Sequence, residues 1–523
     1  MKKKPLFLLF VLFAATAIAQ PQPTSEKRMQ WWQDARLGMF VHWGTSSVLG
    51  GEWNGKDYGK EMGDASAEWI YLTADIPQKE YETMAKSFDP VNYRPEEWVK
   101  LAKDAGMKYM VLTAKHHDGF ALFNTKYSPW NYAQVSNTGR DLLKEYIDAC
   151  HRQHMKVGLY FSHEKDWYHS KKVRNNPGEI SETYVQLVKN QLTELLINYG
   201  KIDLIWFDMG IAAHRSLNEM CYKLVRNYQP DCIISGRIGS GLGDYKNLGD
   251  RELAPPGIEG YVETIMTMRL NWGYDKNDMN WKSTKDVVTM ISKAACRNSN
   301  FLLNVGPQPN GNFTPEEKVR LKNIGLWMQK NGEAIYKTKG SPFKGEFEWG
   351  SLTYNDKNIY LHLNQLLTPK IICKGIVSTV KKISLLSTGE VIPFIQNKKT
   401  QTTEITLPER ILQMEVPVLL VELNNKPVFN ISKGPVKLPP AEKHLTSKSV
   451  TGVVEKVGNT FFTIKTNDNK LLQFEQNETI EYRMNTKGDI RTVAGFDLKA
   501  GQSCTIVYEP QQIPVVKIIE LAY

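Results

Sequence analysis

The sequence predicts an α/β chain: a (β/α) TIM-like barrel followed by an all-β sandwich and a small all-β module at the C-terminus. Three observations lead there. Up to about residue 305, continuous apolar runs alternate with amphipathic stretches, the pattern of parallel strands covered on both faces by helices. Polar and aromatic residues recur at the C-terminal ends of those runs, where barrels carry their chemistry. Beyond residue 340 the pattern changes to short strands separated by turn residues. A doubly wound sheet is the other architecture that the alternation allows, and the residues at the strand ends favour the barrel.

The apolar runs at 38–43, 109–113, 157–162, 204–208, 232–236 and 301–305 are the candidate barrel strands. Helices are expected over 96–105, where Pro95 suits the first turn, and over 142–154 and 184–199, which carry apolar residues at helical spacing. Thr314-Pro315-Glu316-Glu317 is a capping box that opens a helix running through Trp327. The segment from Glu263 to Tyr274 reads as a loop. After residue 340, strands at 347–352, 358–364, 382–386, 403–407 and 418–423 suggest a β-sandwich over 341–430. A Pro-bearing linker from Ser432 to Pro440 follows. Strands at 451–457, 461–466, 471–475, 503–509 and 515–521 then suggest a small β module over 441–523 of unknown role, with glycan binding, packing on the barrel and assembly all open and packing the plainest reading.

The N-terminus has the form of a secretory leader over 1–19. Lys2–Lys4 are basic, an apolar run follows from Leu6 to Ala15, and Ala17-Ile18-Ala19 supplies small residues before Gln20. The run is shorter than the ~20 residues a spanning helix needs. The expectation is an exported protein, periplasmic or secreted, with no membrane insertion once the leader is removed. The formal charge is +10; 66 basic residues less Lys2, Lys3 and Lys4, against 56 acidic ones, leave +7. The positive residues are dispersed, which argues against a nucleic-acid partner. The six cysteines have no C-x-x-C spacing, so a zinc ribbon is not expected, and a chain this large needs no disulfide staples.

Four strand ends carry functional side chains: Phe40-Val41-His42-Trp43-Gly44, Lys115-His116-His117-Asp118-Gly119-Phe120, Trp206-Phe207-Asp208-Met209-Gly210, and the segment from Glu263 to Asn271-Trp272-Gly273-Tyr274. His116 and His117 are adjacent, and neighbours on a strand point to opposite faces, so a shared metal site is not expected. Asp208 alone could be a helix cap. Trp43, Trp69, Trp206 and Trp272 could each be core. Together with the His, Arg and carboxylate residues they favour a sugar site, because a pyranose offers an apolar C–H face to aromatic rings and hydroxyls to polar groups.

These residues carry a specific resemblance. From about Met29 to Phe343 the chain resembles the α-L-fucosidases of glycoside hydrolase family 29, and the sandwich resembles that family's C-terminal domain. The motifs are Leu37-Gly38-Met39-Phe40-Val41-His42-Trp43-Gly44, Ala67-Glu68-Trp69, Lys115-His116-His117-Asp118-Gly119-Phe120, Leu204-Ile205-Trp206-Phe207-Asp208 and Asn300-Phe301-Leu302-Leu303-Asn304-Val305-Gly306-Pro307, in family order. The last module lies outside it. The resemblance implies an exo-acting, retaining α-L-fucosidase with Asp208 as nucleophile. It implies fucose contacts at His42, Glu68, Trp69, His116, His117, Tyr160, Trp206, Arg237 and Trp272, with Trp272 as the wall against the fucose methyl. A fucosylated oligosaccharide or glycoconjugate is the implied partner.

The acid/base is the position that this resemblance does not align. Asp244, Asp250, Glu252, Glu259 and Glu263 all lie between Arg237 and Trp272. Glu263 is the expected acid/base, since its neighbours Tyr261, Val262 and Ile265 are largely apolar and desolvation raises a carboxyl's pKa. Asp250, Glu252 and Glu68 remain rivals, and Arg251 would favour ionisation of the first two. Two carboxyls complete the chemistry, so no metal and no other cofactor is expected. Two further functions stay open: an exo-glycosidase for a fucose-like sugar such as an α-L-galactoside, and a fucose-binding lectin without turnover.

Overall fold

The structure is a computed structural model that describes residues 25–59, 67–170, 180–210, 214–365, 368–435 and, further on, 448–457, 461–467, 469–475, 481–486, 489–493, 503–509 and 515–522. The leader at 1–19 and residues 436–447, which hold the end of the linker and the start of the module, lie outside the described residues.

Eight parallel strands curl into a barrel: β1 (Leu37–Val41), β2 (Tyr109–Lys115), β3 (Lys156–Ser162), β4 (Leu204–Asp208), β5 (Ile233–Ile234), β6 (Lys246–Asn247), β7 (Val262–Thr267) and β8 (Ser299–Val305). Their spatial order is β5-β4-β3-β2-β1-β8-β7-β6. β5 and β6 are therefore the two edges of the sheet. Asp244 spans the seam: its backbone N–H donates to the Ile234 carbonyl at 2.8 Å, and its Oδ2 accepts from the Ile234 N–H at 2.8 Å. Arg28 and Arg226 hold the same carboxylate at 2.8 and 2.5 Å. Asp244 is thus a structural clamp, which removes it from the candidate acids.

Two differences from the expected strands have a physical cause. Gly236 turns the chain out of β5 after two residues, into a 3-10 turn over Gly236–Ile238. The segment expected as a loop begins as β7, because its polar residues are satisfied, Glu263 inside the barrel and Thr264 on the outer face. Thr264 Oγ1 accepts from the Ala254 N–H at 3.1 Å and lies 3.1 Å from Ser299 Oγ, and Glu263 has four donors. A strand inside a barrel can hold polar side chains when each finds a partner.

The helices pack outside. Pro95–Asp104 and Leu142–Arg152 have strongly amphipathic sequences, and the latter is capped by Asp141, whose side chain accepts from the Lys144 N–H. The capping box at Thr314 forms as expected, with Glu317 returning to the Thr314 N–H at 2.9 Å, and the helix runs over Pro315–Asn331. One apolar core lies between helices and strands, and a second, aromatic one fills the barrel: Phe40, Tyr109, Tyr160, Trp206, Tyr245 and Trp272 belong to it. Trp43 belongs to the outer core. It packs on Phe88, Tyr93 and Trp98, and its Nε1 donates to the Gln308 carbonyl at 2.9 Å, so it does not line a sugar site.

Beyond the barrel, a five-stranded and a three-stranded sheet enclose their own core, as a sandwich requires. Lys370–Lys374 and Phe394–Asn397 are strands that the sequence reading did not include. Ser292 Oγ lies 3.0 Å from His362 Nδ1, and Arg297 pairs with Glu346 at 2.7 Å, which joins the sandwich to the barrel. The last described strands form one seven-stranded sheet, which includes Glu481–Thr486 and Asp489–Val493 beyond those expected. All six cysteines are buried and unpaired. Among the described residues no helix is long and apolar enough to cross a membrane.

Candidate active site

Strand ends converge at the C-terminal mouth of the barrel. Asp208 is the last residue of β4, register-paired with Ser162 at the end of β3. Met209 follows at φ +60° and turns the chain sharply, its N–H donating to Asp208 Oδ1 at 2.9 Å. The other oxygen, Oδ2, accepts from the Tyr160 hydroxyl at 2.9 Å and lies 3.5 Å from His117 Nε2. Arg237 Nη1 donates to Oδ1 at 3.2 Å. Burial by itself would raise the carboxyl's pKa. The His117 hydrogen bond, the Arg237 charge and the Tyr160 hydroxyl outweigh it and hold Asp208 well below the usual carboxylate range. Asp208 is thus ionised, rigid and 11 % exposed at its side chain, which is the state a nucleophile needs rather than that of a helix cap.

The histidines surround it. His42 follows β1, with Nδ1 2.6 Å from Asn304 Oδ1, and burial lowers its pKa to about 4. His116 and His117 lie just past the end of β2 at Lys115. Their ring centroids are 4.4 Å apart, so the opposite-face expectation, which holds only within a strand, does not apply. His117 Nδ1 is 2.6 Å from Ser162 Oγ. His116 stacks on Tyr160 at 5.1 Å, and its buried Nδ1 has no hydrogen-bond partner. Burial lowers the pKa of both, and the unpartnered His116 Nδ1 can donate to or accept from a sugar hydroxyl. No group of three metal-ligating side chains occurs among the described residues.

Aromatic rings make the walls. Trp272 lies 5.3 Å from His42, and its carbonyl accepts from Asn304 Nδ2 at 2.7 Å. Trp69 meets His117 edge-on at 5.4 Å and packs on Trp167. Trp206 stacks on Tyr160 at 5.6 Å and carries the Arg237 guanidinium above it at 5.2 Å. Glu68 accepts from the Gly273 N–H at 2.9 Å, and burial raises its pKa to about 7. His42, Glu68, Trp69, His116, His117, Tyr160, Trp206, Asp208, Arg237 and Trp272 therefore form one connected cluster.

Glu263 is not at the mouth with them. It is the second residue of β7, register-paired with Asn300 and Asn247 in the lower half of the barrel, and it is fully buried. Trp206 Nε1, Tyr245, Asn247 and Tyr109 donate to it at 2.8, 3.1, 3.0 and 3.2 Å. Burial raises its pKa to about 7, as expected of a desolvated carboxyl, but Trp206 stands between it and the level of Asp208. The expected position at the sugar does not match this geometry. Asp250 lies three residues past β6, on the mouth side, and accepts from Arg237 Nη2. Glu252 turns back onto the Gly249 N–H at 2.9 Å, and Glu259 is exposed on the same loop.

Sequence reasoning did not single out Asn304, which orients both His42 and Trp272, although it lies in a quoted motif. It also passed over Trp167, whose N–H donates to the His117 carbonyl at 2.7 Å.

The chain is similar to several known proteins. The family model described as Alpha-L-fucosidase matches residues 14–333. An α-L-fucosidase of Branchiostoma floridae is 30 % identical over 380 residues, covering 67 % of this chain and 83 % of that protein. The family 29 α-L-fucosidase of Bacteroides thetaiotaomicron is 29 % identical with a TM-score of 0.69, covering 80 % of this chain and 99 % of that one. The same bacterium's enzyme has also been solved as a trapped covalent intermediate with 2-fluoro-fucosyl fluoride. The α-L-fucosidase of Vibrio sp. strain EJY3 shares the fold over 94 % of this chain and 97 % of its own, with a TM-score of 0.71 at 24 % identity.

Proposed function

This chain belongs to the α-L-fucosidase family, glycoside hydrolase family 29, and on that footing we propose that it is an exo-acting, retaining enzyme that removes terminal α-L-fucose by double displacement. The observation that carries the reading is Asp208: a carboxylate held ionised at a strand end by His117, Arg237 and Tyr160, in a pocket walled by tryptophans. Asp208 attacks the anomeric carbon and forms a glycosyl-enzyme ester. A second carboxyl protonates the departing oxygen, then takes a proton from the water that cleaves the ester. The covalent intermediate trapped in the Bacteroides enzyme supports this course. His42, Glu68, His116, His117, Tyr160 and Arg237 engage the sugar hydroxyls. Trp69, Trp206 and Trp272 supply the apolar walls, Trp272 against the methyl.

In this reading Asp250 is the acid/base. Its support is position: it shares the Arg237 guanidinium with Asp208, and its side chain is 34 % exposed, open to a leaving group. A sugar that takes up Arg237 would release Asp250 for proton transfer. Glu68 is the second reading, favoured by its pKa of about 7, which keeps it half-protonated near neutrality. No metal or organic cofactor takes part in this scheme. The leader pattern supports export to the periplasm or the medium, with neither membrane insertion nor nucleic acid involved.

The test is turnover of an aryl α-L-fucoside, with the anomer of the first product read by NMR. Release of α-fucose supports retention; initial β-fucose overturns the double displacement. Fucose binding without turnover on any fucoside returns the lectin, and preference for an α-L-galactoside returns the related exo-glycosidase. A panel of α1,2-, α1,3-, α1,4- and α1,6-fucosides then assigns the linkage.

A further inference from the structure

The barrel floor beneath the sugar pocket is built around a carboxylate. Glu263 gathers donors from three other places in the barrel: Tyr109 at the start of β2, Trp206 in β4, and Tyr245 and Asn247 at β6. Room has been made for one of those donors. β1 carries Gly38 beside Tyr109, where a Cβ would stand 2.4 Å from the Tyr109 ring. Tyr245 is in turn stacked on Trp32 at 4.6 Å.

Burying a carboxylate is costly, and an apolar side chain of similar volume often serves stability as well or better. What an apolar side chain cannot do is accept from an indole. The Trp206 N–H is that residue's only polar handle, it can only donate, and Glu263 takes it at 2.8 Å. The same indole has Tyr160 stacked on one side at an interplanar angle of 15° and the Arg237 guanidinium over it at 5.2 Å. Tyr160 and Arg237 are two of the groups that donate to Asp208, at 2.9 and 3.2 Å. A rotation of the indole would therefore displace the supports of both.

We propose that Glu263 is a positioning residue: from below the pocket it fixes the plane of Trp206, and through Trp206 it sets the sugar-binding wall and the donors around Asp208. The inference rests on the reading of this pocket as the fucose site. It assigns Glu263 no contact with the sugar and no proton transfer.

The test is a double-mutant cycle of Glu263→Gln and Trp206→Phe, read by fucose affinity in calorimetry and by kcat/KM on an aryl α-L-fucoside. Glu263→Gln keeps the volume and removes the charge-assisted bond. It is expected to lower both quantities about tenfold or more, the scale of one hydrogen bond to a charged group. In the Trp206→Phe background, which has no indole N–H to hold, the same substitution should change both by less than about twofold. Equal effects in the two backgrounds, or a lower melting temperature with affinity and kinetics unchanged, overturn the proposal. So does azide rescue of Glu263→Ala, which would make Glu263 the acid/base. If Glu263→Gln does not fold, Glu263→Asp, which withdraws the oxygens by one methylene, goes through the same cycle with the same outcomes. Wild-type protein that binds fucose without turnover sinks the hydrolase reading and leaves this inference to calorimetry. Wild-type protein that binds no fucose overturns both.

Discussion

Asp208 and Asp250 are held by one side chain: Arg237 donates from Nη1 to Asp208 Oδ1 at 3.2 Å and from Nη2 to Asp250 Oδ1. A single guanidinium with a hydrogen bond at each tip caps their separation at about 8 Å, a bound that spans both the ~5–5.5 Å of retaining pairs and the ~6.5–9.5 Å of inverting ones. Burial works against the charge of Arg237, and the two carboxylates more than restore it, raising its pKa. One carboxylate is buried at a strand end and the other is open on a loop, which suits an attacking group and a proton-transferring group in turn.

Removal of the nucleophile is the first prediction. Asp208→Ala is expected to lose at least about 10⁴-fold in turnover, since no other group can form the ester. Circular dichroism should show the protein folded. Near-normal turnover of the folded variant would take the role from Asp208.

The acid/base separates by leaving group. Asp250→Ala should fail on natural fucosides, retain more activity on an activated aryl fucoside, and recover with azide. Glu68→Ala and Glu263→Ala should show no such pattern. If Glu68→Ala alone recovers with azide, proton transfer belongs to Glu68.

A third prediction concerns stability against pH. Burial raises the Glu68 pKa to about 7, above its unfolded value of ~4.3. Between those values the folded state binds more protons than the unfolded one. Its stabilising effect is therefore full below pH ~4.3 and lost as pH rises through about 7. Glu263, also raised to about 7, acts in the same sense. The buried histidines, with lowered pKa values, act in the opposite sense, so the readout is the difference between variants: by urea denaturation, Glu68→Gln should gain stability relative to the wild type between pH 5 and pH 8. An unchanged difference would mean that Glu68 does not titrate in this window.

The final module offers a fourth. Truncation after residue 435 should leave aryl-fucoside turnover within roughly threefold, or ~0.7 kcal/mol of barrier, because every residue placed at the pocket lies before it. Collapse of turnover in a soluble truncated protein would show that the module completes the site.

Exhaustive chelation should leave turnover unchanged, since in the proposed mechanism two carboxyls carry the whole reaction. Loss that a single added ion restores would overturn that.

By itself the sequence determined the alternation of apolar strands and amphipathic helices, because burial on both faces demands continuous apolar runs, as in Leu204–Asp208. It also placed Asp208 at the end of such a run, and the capping box at Thr314, whose partners are three residues apart. Tertiary structure decided what depends on partners distant in sequence. Glu263 reads as a loop residue beside a site until four donors from other elements make a buried strand position tolerable for it. Trp43 and Trp206 look alike in sequence, yet one fills the outer core and the other the barrel, because the sides of the sheet are assigned only when the sheet closes. Asp250 comes to Asp208 only through the fold of the loop after β6 and the reach of Arg237. Local periodicity is written in one segment of chain; the satisfaction of a buried charge is a property of everything packed around it.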